Sequence, residues 1–139
     1  MPAKFPGLAP ATVGRLDRSA YAAAARGMTG RIGLVAVERP ADTVREVGWQ
    51  GWANYGFSST DMAVVYRSWE ERFGAVLIGL EFDVLQFGVA RPPRTLEAAS
   101  AIANECFATC PDIVWQGLET MSALAADLVN RGVWWFWWD

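Results

Sequence analysis

Apolar residues recur at helical spacing most clearly from Met62 to Phe73. Met62, Val65, Tyr66, Trp69 and Phe73 fall on one face, and Arg67, Glu70, Glu71 and Arg72 on the water-facing one. Ser58, with Asp61 three residues later, precedes the run as a capping box, and Gly74 follows it, so both ends of this helix are signalled. Two apolar runs come next, AVLIGLEF and VLQFGVA, on either side of Asp83. They predict adjacent antiparallel strands joined by a tight turn at residues 82–84. Thr95 can cap a second helix to about Cys110, with Ala99, Ile102, Ala103, Cys106, Phe107 and Cys110 inward, and Pro111 stops it. A third helix, from about Glu119 to Asn130, turns Met121, Leu124, Ala125 and Leu128 inward, and Gly132 separates it from the run VWWFWWD.

The first half carries weaker signals. Residues 1–10 hold three prolines and a glycine, which suits an arm rather than a regular element. The alanine-rich stretch from Ala11 to Arg26 favours a helix ended by Gly27 and Gly30, and IGLVAV (Ile32 to Val37) predicts a first strand. Pro40 suits the first turn of a short helix ended by Gly48. WQGWANYGF after it fits either an edge strand or an ordered loop. The expectation is an α+β fold: helices packed on a mainly antiparallel sheet of four or five strands, with residues 133–138 near its centre. An N-terminal arm and helix (1–30) would precede a single α+β domain (31–139).

Composition narrows the chemistry. At 139 residues and 53% hydrophobic, the chain is long enough for a core without disulfide or metal staples. It contains no histidine, which removes histidine-based triads and histidine-ligated zinc. Lys4 is the only lysine and lies in the arm, a poor place for a Schiff base. Net charge is −3, against a general nucleic-acid binder, but residues 1–31 carry five basic groups and one acidic, so the arm is +4 and the body −7. No run is apolar enough to span a bilayer and no signal peptide is recognisable, so a cytoplasmic location is expected. Cys106 and Cys110 share a helix face, the wrong geometry for a disulfide, and are expected to be reduced core thiols. With two cysteines and no histidine, no metal site and no cofactor are expected.

The aromatic run places Trp134, Phe136 and Trp138 on one strand face and Val133, Trp135 and Trp137 on the other. Burial of both faces is the default expectation, against an exposed platform for a partner or ligand, and buried indole N–H groups would donate to Asp83, Asp112, Gln116 or Asp139. Acid–base chemistry, if present, would need a pair among Glu70, Glu71, Glu81, Asp83 and Asp112 beside an arginine such as Arg72.

Several strings together resemble the bacterial family known as domain of unknown function 4253: RPADTVREVGWQGWANY, RSWEERFGA, FDVLQFGVARPPRTLEAA, CPDIVWQG and the closing FWWD. The resemblance runs from about residue 32 to the end. It implies that Trp69, Glu70, Arg72, Phe73, Cys110, Pro111, Asp112, Trp115, Gln116, Trp138 and Asp139 hold the family's characteristic positions. The chain departs from the pattern at Glu105-Cys106-Phe107, where a histidine commonly precedes the phenylalanine. The resemblance implies no activity.

The function expected is a non-catalytic interaction domain, an immunity-type or regulatory binder of another bacterial protein, with the acidic surface and aromatic anchors facing the partner. One rival is an enzyme or small-molecule binder whose cleft is framed by Glu70, Arg72, Asp112, Trp115 and Gln116. Another is an assembly subunit that forms a homo-oligomer by exchanging its N-terminal arm.

Overall fold

The computed structural model describes residues 4–139. In chain order it contains α1 (Ser19–Ala25), α2 (Thr43–Glu46), α3 (Ser59–Phe73), β1 (Ala75–Leu80), β2 (Val84–Val89), α4 (Leu96–Thr109), α5 (Met121–Leu128) and β3 (Val133–Trp137). The fold is α+β, and its sheet is antiparallel in the order β1-β2-β3.

Among the described residues the sheet has three strands, not the four or five expected. The segment 32–37 forms no strand: Ile32 and Leu34 stand fully exposed, because no neighbouring edge supplies hydrogen bonds to a β-prone sequence. β3 pairs only with β2, so it is an edge strand rather than the centre. The helix expected over 11–26 shrinks to Ser19–Ala25 and buries no residue, since alanines offer propensity but no apolar face to dock. The last helix starts at Met121 with Thr120 as its cap, two residues later than expected.

α3 organises the core. Ser58 Oγ accepts from Asp61 N–H at its start, and Gly74 ends it in the left-handed region (φ 61°) with its N–H donated to Glu70. Tyr66, Trp69 and Phe73 then lie on the inner sheet face against Leu85, Phe87, Trp134 and Phe136. Trp69 stacks on Phe136 at 5.4 Å between centroids, and its edge meets Trp134 at 5.7 Å. Such ring pairs add about 0.5–1.5 kcal/mol each beyond the area they bury. The WQGWANYGF stretch is an ordered loop with a short 3-10 turn at Ala53–Tyr55. It drops Trp49 and Trp52 onto Trp138, extending the core beyond the sheet.

α4 and α5 pack together beside α3, while α1 lies on the outer sheet face. There β2 has Gly88, where a Cβ would sit 3.1 Å from Tyr21 Cδ1 and 3.3 Å from the Ala24 methyl, so a side chain would lift α1 off. The arm also closes the C-terminal end of α3: Thr12 N–H donates to the Arg72 carbonyl, and the Tyr21 hydroxyl to that of Gly74. The accessible surface, 8363 Å², exceeds the roughly 7,150 Å² expected of a compact chain of this mass. The extended arm and the strandless segment after it are where the excess arises.

Candidate functional site

The polar residues singled out in the sequence do not frame one cleft; they divide among three ties between distant segments. The first joins α3 to α4. On α3, Trp69 and Arg72 stand three residues apart and aim their N–H groups at Glu105 of α4, which is 4% exposed. Glu105 Oε1 accepts from Arg72 Nη1 at 2.8 Å and from the backbone N–H of Ala9 at 2.6 Å. Oε2 accepts from Arg72 Nη2 at 2.6 Å and from Trp69 Nε1 at 3.0 Å. The carboxylate is thereby saturated, and Arg72 also donates to Ser68 Oγ and the Ala9 carbonyl. Arg72 is therefore not on a solvated face, and its partner is none of the carboxylates expected beside it.

The second tie joins the RPAD segment to α3. Arg39 bridges Glu70 and Glu71, and buried Asp42 accepts from Arg67 Nε and Nη2 at 3.0 and 2.6 Å. Glu70 is thus occupied by an arginine 31 residues away rather than turned to water.

The third tie holds the segment after α4. Cys110, Pro111 and Asp112 lead into a wide helical turn, Ile113–Leu118, which the sequence pattern did not indicate. Asp112, 1% exposed, accepts from Gln116 Nε2 and from the backbone N–H of Asp139, both at 3.0 Å, while Asn54 Nδ2 donates to the Asp139 carbonyl. Burial by itself would raise the Asp112 carboxyl; donation from Asp139, Tyr55 and Gln116 outweighs it and holds the group below its ordinary value. The Tyr55 hydroxyl, directed at that carboxylate, is pushed up to about 12.

Three indoles choose other acceptors than those expected, and a fourth, Trp134, is buried with none. Trp138 donates to the Thr109 carbonyl, Trp49 to the Glu81 carbonyl and Trp69 to Glu105. Asp83 serves through its backbone, its carbonyl accepting from Trp138 N–H at 3.1 Å. Both cysteines are buried free thiols; burial pushes Cys106 well up and Cys110 to about 12. Cys110 Sγ donates to the Trp137 carbonyl at 3.0 Å.

Sequence reasoning missed Glu105, Asp42 and Arg39. The signal for Glu105 was the Trp69-x-x-Arg72 spacing itself, since two strong donors on one face of a buried helix require a buried acceptor. What the ties leave outside is aromatic. Trp115 is 67% exposed and rests edge-on against Phe107, and Trp135 is 45% exposed, stacked on Trp137 on the outer sheet face. The outer face of β3 is only partly covered, with Val133 and Trp137 half-buried and Trp135 exposed, which corrects the expectation that both faces would be buried. Two shallow hollows, about 360 and 320 Å³, lie elsewhere: one between Met28 and Gln86, the other beside Asp42 and Arg67. No group of three or more potential metal ligands occurs among the described residues, and no helix there is long and apolar enough to cross a membrane.

The profile of the family described as Domain of unknown function (DUF4253) matches residues 31–139. The chain belongs to the DUF4253 family. No curated protein and no solved structure matches it. The DUF4253 match contains all three ties except one partner: Ala9, the residue whose main-chain N–H and carbonyl Glu105 and Arg72 hold, lies in the arm outside it.

Proposed function

We propose that this DUF4253 domain acts by binding another protein, as an immunity-type or regulatory partner in the bacterial cytoplasm, and not by turning over a substrate. The observation that carries the reading is the division of labour among its unusual residues. Arg72, Glu105, Asp112 and Gln116 are consumed in ties within the fold, whereas Trp115 and Trp135 stand exposed with no such engagement. Exposed tryptophans on a framework held rigid by buried ion pairs are the composition of interface anchors, because a large ring loses little conformational entropy when covered. The net charge of −7 over residues 32–139 favours a basic partner surface.

The test is affinity capture from the native host with the intact chain and with Trp115→Ala and Trp135→Ala, singly and together. The expected result is one recurrent protein retained by the intact chain and lost by the double variant, both chains melting within a few degrees of each other. Recovery that ignores both tryptophans, or no recurrent protein at any salt concentration, would overturn the reading.

A further inference from the structure

Arg72 and Glu105 do more than pair with each other: together they grip both main-chain polar groups of one residue, Ala9. Ala9 gives its N–H to Glu105 Oε1 at 2.6 Å, and its carbonyl accepts from Arg72 Nη1 at 2.9 Å. Its methyl is enclosed (3% exposed), while Leu8 and Pro10 on either side are exposed. This is recognition of main chain, selective for a small side chain at the gripped position and indifferent to its neighbours.

The gripped segment has the character of a removable occupant. It lies outside the family match, whereas both gripping residues lie inside it. Ala9 is the only buried residue among residues 4–30. Beyond α1, residues 27–38 form no regular element. Twelve extended residues reach about 40 Å, comparable to the diameter of a domain this size, so the arm can travel that far once α1 lifts from the outer face of β2. Residues 1–31 are +4 and residues 32–139 −7, so attraction between them is partly non-specific and available to another basic segment.

We infer that the Arg72–Glu105 pair is a binding site for an extended, basic peptide segment of a partner protein with a small residue at the gripped position, and that the chain's own arm fills it as a tethered stand-in. The inference rests on the protein-binding reading above and names the partner's chemistry. The occupant belongs to a different protein rather than a second copy. Each copy's tethered arm already competes at an effective concentration on the order of millimolar, and an identical arm arriving free has no advantage over it. A partner segment that makes added contacts does.

The probe is a fluorescein-labelled synthetic peptide of residues 4–18, titrated by anisotropy into the full chain and into the full-length Ala9→Pro variant, whose arm has lost the gripped N–H. The same titrations use a peptide N-methylated at Ala9 and one with Arg15 and Arg18 replaced by glutamate. The expected result is binding at least tenfold tighter to Ala9→Pro than to the unaltered chain, weakened at least tenfold by N-methylation and several-fold by charge reversal. Circular dichroism and the melting curve establish that Ala9→Pro is folded; should it fail to fold, Ala9→Leu, which cannot seat its side chain, replaces it.

Equal binding of plain and N-methylated peptides, or no binding to a folded variant, would overturn the inference and leave Arg72–Glu105 a structural tie. Sedimentation showing dimers of the unaltered chain at tens of micromolar that Ala9→Pro abolishes would overturn it in favour of arm exchange between copies. Neither result touches the tryptophan test, so the two proposals fail separately.

Discussion

Glu105→Gln preserves shape and removes only the charge, which makes it a sharp probe of the α3–α4 tie. Each carboxylate oxygen accepts two hydrogen bonds: Ala9 N–H and Arg72 Nη1 on one, Trp69 Nε1 and Arg72 Nη2 on the other. In either orientation the glutamine amide nitrogen faces two donors, so two bonds are lost and two N–H groups meet another donor. The Arg72 guanidinium, only 14% exposed, keeps a full charge with a neutral partner. Breaking a buried pair by altering one member costs about 3–5 kcal/mol. For 139 residues the entropy of unfolding is about 0.3 kcal/mol/K, so the melting temperature should fall by about 10–17 °C. Urea and thermal unfolding followed by tryptophan emission measure this. Arg72→Met with Glu105→Leu should recover part of the loss, because no charge is left unpaired, but not all of it, because Trp69 Nε1 and the Ala9 N–H lose their acceptor. A fall of less than about 3 °C for Glu105→Gln, or a double variant as unstable as the single ones added together, would refute the claim that charge pairing secures this joint.

Both thiols should resist Ellman's reagent in the folded protein and react in strong denaturant, since burial raises Cys106 and Cys110 away from the thiolate form; rapid reaction of either under native conditions would contradict the packing. Asp112 has a lowered folded pKa, so its stabilisation is complete above the unfolded value near 3.9 and is lost as pH falls through the folded one. The melting-temperature gap between the unaltered chain and Asp112→Asn should therefore be constant at neutral pH and narrow below about pH 4; a gap that persists unchanged to pH 2 would show that the carboxylate's charge is not what Asp139 and Gln116 engage. Gly88→Val should displace α1, whose Tyr21 and Ala24 occupy the space a side chain needs, and should speed tryptic cleavage at Arg18 and Arg26 several-fold; unchanged cleavage would mean that α1 is not seated on β2.

Elements whose ends and faces are both written locally were legible. α3 has its cap, stripe and left-handed glycine in sequence, and the β1–β2 hairpin is two apolar runs around a short polar turn. What failed needed a partner that local sequence does not contain. The segment 32–37 has strand propensity but pairs with neither free edge of the sheet, and β3 looked central because both its faces are aromatic. The outer face is instead left partly open, since α1 reaches only β1 and β2. The site was legible as a set of residues but not as a set of contacts. Trp69, Arg72, Asp112 and Gln116 were all named, yet Glu105 was hidden among apolar neighbours in α4 because helical spacing places a residue and does not state whether its charge is matched.

The CPDIVWQG turn mixes structural and exposed roles within one short string. Asp112 and Gln116 are four apart and meet across the turn, so both face the chain they hold. Trp115, between them in sequence, is carried outward by the same winding and braced only by Phe107. The tie and the exposed ring are thus one rigid piece: whatever fixes Asp112 to Asp139 also fixes where the indole points. An alteration at Asp112 that weakens partner binding would act through the position of Trp115, and should leave binding through Trp135, on the outer sheet face, untouched.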